Sequence, residues 1–280
     1  MGSVPERNVG RLRHTGIMSV AKTPWQNGEA HGRLSGTPGG PAFLDVVTST
    51  VARLAPEGWI QVASLTPAPS AQRRTGYEDE AATRMINSGL ALRTDTGMPF
   101  WDAVFLSGEA VAEGIAPSIA TAALLHQPVD RSRTERLRID DLLLGALRER
   151  AQSPALITAL LSEIIRPDGR IVHLPMLDFS SKVRRPGAEA SVTTVTRQLG
   201  IPGSIVRSGR SFHFYGSELL SPSDHHAFLC RALLLAPITD ARWIAHQLLE
   251  GYSSLRISSN DQGAFPELVT TLEGPWNPTK

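Results

Sequence analysis

Hydrophobic and polar positions follow one rhythm up to about residue 167 and another beyond it. After a stretch with no sustained period over residues 1–42, "FLDVVTSTVARLAPEG" spaces its apolar residues as a helix does and leaves through Pro-Glu-Gly. "WIQVASLTP" alternates as a strand does, and "PAPSAQRRTGYEDE" reads as a loop. From Glu80 to Pro167 the spacing predicts five helices, "EAATRMINSGLAL", "PFWDAVFLSGEAVAEG", "APSIATAALLHQ", "RIDDLLLGALRERAQ" and "PALITALLSEIIRP", parted by Gly, Pro and polar breaks. The arginine-rich link "PVDRSRTERLR" between the third and fourth reads as a solvated face that could also meet a phosphate backbone.

Beyond Asp168 strands and helices alternate. "RIVHLPMLDFSSK" is a strand in which Pro175 disfavours a central ladder position. "GAEASVTTVTRQLG" is a helix ending at Gly200, and "SIVRSG" with "SFHFYG" makes strand, turn and strand. "SPSDHHAFLCRALLLAP" and "TDARWIAHQLLEG" are helices, and "YSSLRISS" is a last strand. The pattern predicts an α/β or α+β domain, a sheet with helices packed on it. The expected organisation is a tail over 1–42, a mainly helical region over 43–167, and an α/β core over 168–280.

Composition narrows the class. A hydrophobic content of 41% and a charged content of 20% over 280 residues suffice for a sizeable core. With 28 basic and 27 acidic side chains, net charge favours no partner; only clustering on one face would. The single cysteine, Cys230, excludes an internal disulfide and any multi-cysteine zinc site, and its apolar setting predicts a buried structural thiol. No run approaches the ~18 apolar residues of a membrane span, and no signal-peptide core is present at the N-terminus, so the expected location is cytoplasmic with no membrane partner. No Gly-x-x-x-x-Gly-Lys-Ser/Thr loop, Gly-x-Ser-x-Gly elbow or Cys-x-x-Cys pair occurs. That disfavours a P-loop NTPase or an α/β-hydrolase and excludes a zinc deaminase.

The chemistry sits on two strands. Because side chains alternate across a strand, Ser211 and His213 share one face of "SGRSFHFYG" while Phe212 and Phe214 share the other. In "LPMLDFSSK", Asp178 and Ser180 likewise oppose Leu177 and Phe179. If the strands are neighbours, a carboxylate, two hydroxyls and an imidazole meet on one patch, which is one way to build a metal-nucleotide site.

"LDFS", "SGRSFHFYG" and "ITDARWIAHQLLEGYSSLRIS" together resemble the three signatures of the archaeo-eukaryotic primase and primase-polymerase superfamily, over about residues 168–262. The resemblance implies a core with an RRM-like antiparallel or mixed sheet. It also implies a nucleotidyltransferase that takes a nucleoside triphosphate with Mg²⁺ or Mn²⁺ and acts on DNA or RNA. Asp178 then matches the first metal-binding, catalytic carboxylate, and Asp240 the third. Ser211 and His213 match the pair that holds the nucleotide's phosphates, and Arg256 the basic residue that follows on a strand. Ser180 stands where the family has its second carboxylate. That departure removes a negative charge from a two-ion site and leaves one ion between Asp178 and Asp240 as the remaining arrangement. Arg210, Arg256 and Lys182 would neutralise phosphate oxygens, with Ser180 at the nucleotide. A non-catalytic relative that only binds nucleotide or nucleic acid, in a defence or regulatory setting, is the alternative.

Each residue also has a structural reading. Asp240 suits the N-cap of the helix it precedes, His213 suits a hydrogen-bonded core histidine, and Arg256 suits a partner for a structural carboxylate. His225, His226 and His246 lack carboxylates at ligand spacing and read as structural or surface residues. A third class of function, a protein-binding scaffold, would need Trp101 and Phe105 of the helical region to be exposed anchors for a partner. The competing reading makes them core residues of an amphipathic helix.

Overall fold

The computed structural model describes residues 42–65, 79–124, 133–152, 157–259 and 265–274. The tail expected over 1–42 lies outside them except for Ala42, and so does nearly all of the loop "PAPSAQRRTGYEDE". In chain order the elements are α1 (Phe43–Leu54), β1 (Trp59–Leu65), α2 (Glu80–Thr96), α3 (Phe100–Phe105), α4 (Gly108–Glu113) and α5 (Pro117–Leu124). There follow β2 (Thr134–Arg138), α6 (Leu143–Gln152), β3 (Ile157–Ile165), β4 (Ile171–His173), β5 (Met176–Asp178) and α7 (Ala188–Gln198). The chain continues through β6 (Gly203–Arg207), β7 (Phe212–Gly216), α8 (Pro222–Leu233), α9 (Ala241–Glu250), β8 (Ser254–Arg256) and β9 (Glu267–Leu272).

The expected α+β class holds, with two sheets rather than one, both antiparallel throughout. The first runs β2-β1-β3, and β3 then pairs along its far edge with β8 at residues 159–161 and with β4 at residues 163–165. The second runs β5-β7-β6-β9. Leu174 and Pro175 alone separate β4 from β5, so the chain crosses between sheets there. Leu174 N–H donates to Ser162 of the first sheet (2.8 Å), and Pro175 C=O accepts from Gly216 of the second (2.8 Å). A side chain at Gly216 would strike the Pro175 ring 2.8 Å away, so the two backbones meet there because residue 216 has none.

"PALITALLSEIIRP" is the clearest correction, since it forms β3 and not a helix. Seven of its nine strand residues are buried, so both faces of the strand are covered and no alternation marks it. A continuous apolar run of this kind has no period that tells strand from helix. Part of the charged link is β2, an edge strand whose exposed residues suit its position. The boundary expected at 167/168 falls between β3 and β4, which pair with each other, so the first sheet runs across it. "PFWDAVFLSGEAVAEG" is two helices, because Ser107 interrupts the first and caps the second by accepting from Ala110 N–H.

A large core joins α1, α6, α7, α8 and α9 to both sheets. Helices α2–α5 form a second cluster around Ile86, Trp101, Val104 and Ile119. Trp101 is only 7% exposed, so it is a core residue and offers no anchor for a scaffold; Phe105 is half-buried. Arg242 of α9 links the cluster to the core. Its guanidinium lies 5.8 Å from the ring centres of both Trp101 and Phe105, and it donates to Ala123 C=O at 3.3 Å. Such a contact is worth about 1 kcal/mol. Arg242→Ala is expected to lower the melting temperature by about 2–4 °C, measured by circular dichroism.

Candidate functional site

Residues 178 and 213 are direct cross-strand partners in β5 and β7, so the two faces predicted from alternation do meet. His213 Nε2 lies 3.7 Å from Asp178 Oδ1. On the other side of β5, Phe179 bridges Thr239, and Asp240 N–H donates to Asp178 C=O at 3.0 Å. Asp240 also caps α9, its Oδ1 accepting from Trp243 N–H at 2.9 Å. The two aspartates therefore sit on adjacent backbones, and the capping role coexists with proximity to Asp178.

Arg256 on β8 comes from the other sheet. It donates to Ser208 C=O at 2.6 Å and to Ser258 C=O, and its charge acts on Asp178, His213 and Tyr215 together. Ser208 belongs to the β6–β7 turn, a non-local contact that spacing does not announce. Ser211 is used structurally: its hydroxyl is bonded to Phe179 C=O and to Ser181 C=O (3.1 Å), which fastens the segment after β5 to β7. Ser180 is half-buried, with its N–H given to Ile238 C=O at 2.9 Å. Arg210 is exposed at the turn before β7, where its carbonyl accepts from Val183 N–H at 3.0 Å.

Electrostatics distinguish the groups. Burial, and then the charge of Asp240, push the Asp178 carboxyl up to about 7, against the pull of Phe179 N–H, Lys182 and Arg256. Its side chain still keeps 26% of its surface exposed, so the site is reachable. Burial, and then Arg256, depress His213 to about 3, so the imidazole is neutral at physiological pH and carries one N–H. Its Nδ1 is buried without a hydrogen-bond partner, and so is the Tyr215 hydroxyl, which burial holds above its ordinary pKa. Tyr215 shares the face of Ser211 and His213 and was missed by the sequence reading. The same count of two that found His213 extends to it.

The charged oxygen donors placed together here are two, too few for a two-ion site. Asp178 and Asp240 supply two neighbouring carboxylates whose mutual repulsion a cation would relieve. Ser180 adds no charge, and among the described residues no group of three or more His, Cys, Asp or Glu is placed to hold a metal. The other histidines are structural or peripheral: His225 is buried and stacked on His173 at 4.4 Å, His226 is exposed, and His246 is half-buried. Cys230, expected to be buried, is half-buried, with its sulfur 3.7 Å from His226 Nδ1.

Two antiparallel sheets carrying an Asp–His pair on neighbouring strands, backed by a second aspartate, make a mixed α/β domain of primase-like type. Residues 144–268 match the family model described as AEP-like, archaeo-eukaryotic primase 1D-like, which supports a primase-like assignment for this segment. The match begins in α6 and takes in β3, upstream of the 168–262 expected from the motifs. No curated protein and no solved structure matches the chain. Among the described residues, no helix is long and apolar enough to cross a membrane.

Proposed function

We propose that this domain binds a nucleoside triphosphate together with one Mg²⁺ or Mn²⁺ ion at Asp178 and Asp240 and acts on nucleic acid as a primase-polymerase-like nucleotidyltransferase. The observation that carries the reading is the pairing of Asp178 with His213 across β5 and β7, with Asp240 on the adjoining backbone. A divalent ion held there would offset the charge of the triphosphate oxygens. His213, neutral and with Nε2 on the side of Asp178, is suited to a hydrogen bond with a phosphate oxygen, with no charge to desolvate. Arg256 and Lys182 supply positive potential next to Asp178, and exposed Arg210 adds to it at the rim. Ser211 acts indirectly in this scheme, holding the Ser180–Ser181 backbone in place, while Ser180 lies beside the nucleotide.

A second reading has a specific observation in its favour. Ser180 in the place of a carboxylate suits a domain that keeps the pocket for nucleotide or nucleic acid and has given up catalysis. A thermal shift addresses both: about 1 mM ATP or GTP with Mn²⁺ is expected to raise the melting temperature of the wild-type chain and leave Asp178→Ala unmoved. A flat response in the wild type would remove both readings, and template-directed extension of a labelled primer separates them.

A further inference from the structure

A cluster of basic side chains lies at the same end of the β5-β7-β6-β9 sheet, on its opposite face. Residues 182–210 hold six basic side chains, Lys182, Arg184, Arg185, Arg197, Arg207 and Arg210, against one acidic, Glu189, in a chain whose total charge is +1. Three of the six, Arg185, Arg197 and Arg207, line an open cavity of about 590 Å³ that runs along α7 beside the paired residues Arg207 and Phe212 of β6 and β7. Arg185 and Arg197 are exposed. Arg207 meets Glu189 at 3.8 Å and Glu267 at 3.7 Å, both long contacts, while its Nε is buried without a hydrogen-bond partner. Phe212 on this wall is 1% exposed, so no aromatic face is offered by it for base stacking. Such a surface suits phosphate rather than bases.

We propose that this cavity holds the sugar-phosphate backbone of a polynucleotide without regard to sequence, as a site separate from Asp178. The class of polyanion rests on the primase-like reading; the site itself rests on the charge and the cavity. The chain from Asp178 to α7 carries Lys182, Arg184 and Arg185, so basic groups continue around the end of the sheet from the nucleotide patch to the cavity. A strand following them would pass from one face to the other. Contacts of this kind act through counterion release, so they weaken steeply with salt.

The test is fluorescence anisotropy of the full chain with labelled single-stranded DNA and RNA oligonucleotides, from about 50 to 200 mM salt. Neutralising two contacts in Arg185→Gln/Arg197→Gln is expected to weaken binding on the order of tenfold or more at about 50 mM salt. It should also flatten the slope of log K against log salt by about 1.4, at ~0.7 for each phosphate contact. Glu189→Gln, which removes a partner of Arg207, is expected to tighten binding, a change that misfolding cannot mimic. If circular dichroism shows the double variant unfolded, single Arg185→Gln and Glu189→Gln decide the matter. Wild-type affinity and slope in the variants, no binding of either oligonucleotide by the wild type, or full competition by millimolar inorganic phosphate would each overturn the site. The ATP and Mn²⁺ thermal shift is expected to persist in the double variant. Its absence from a wild type that still binds oligonucleotide through these arginines would overturn the nucleotide reading and leave this site standing.

Discussion

Asp178→Asn is expected to make the protein more stable at about pH 8 in the absence of nucleotide and metal, by about 2 kcal/mol. A rise in pKa from 3.8 to about 7 means the folded state binds this proton more tightly than the unfolded chain does. Three pKa units correspond to ~4 kcal/mol, reduced here to ~2 because the side chain retains contact with water. The sign follows from the direction of the shift: the ionised carboxylate costs nothing below about pH 4, costs progressively more as pH rises towards 7, and costs its full amount above that. The gain in the variant should therefore be largest at about pH 8 and vanish near pH 4, which urea midpoints at the two pH values will measure. The buried histidines, His213 and His225, work in the opposite direction. Each is pushed down to about 3, so the fold loses stability as pH falls from about 6.5 towards 3. They are common to both proteins and cancel in the difference. With Mn²⁺ and ATP present the order should reverse, because only the wild type gains a ligand. An equal or lower midpoint for the variant at about pH 8 would mean that Asp178 carries no unrelieved charge.

Ser180→Asp should produce the second large effect, again with opposite signs in two conditions. Residue 180 lies two positions beyond Asp178, next to the Ser211 staple, and a carboxylate there adds repulsion to a pair already in conflict. In EDTA the variant is expected to lose about 1 kcal/mol in urea unfolding. With Mn²⁺ titrated in, it should bind the ion at least about tenfold more tightly than the wild type, since each added carboxylate balances one of the ion's charges. Primer extension then separates the two functional readings. A weakened catalyst gains activity from the restored charge, and a domain used only for binding gains none. Unchanged metal affinity would show that residue 180 does not face the ion.

The parts legible in the sequence were those in which apolar and polar residue types alternate. Phe212 and Phe214 against Ser211 and His213 gave the strand and its two faces, because residue type alternates along it even though every residue of β7 is buried. The Ser221–Pro222 and Asp240 starts were legible because capping is local. β3 was illegible because its run is mostly apolar with no alternation, so its composition records burial and not direction. The site was half legible. Spacing gave the shared faces of Asp178 and His213 and left their pairing conditional on neighbouring strands, while the use of Ser211 as a backbone staple and the contact of Arg256 with Ser208 C=O depend on segments far apart in the chain, which no spacing rule reaches.

The first turn of α9 serves two masters. Asp240 ties the helix start to the backbone of Asp178, and two residues later Arg242 grips Trp101, Phe105 and the Ala123 carbonyl of the α2–α5 cluster. One turn of helix is thus a short crank, with the outer helices at one end and the backbone of Asp178 at the other, so a shift of α9 at Arg242 would be carried to Asp240.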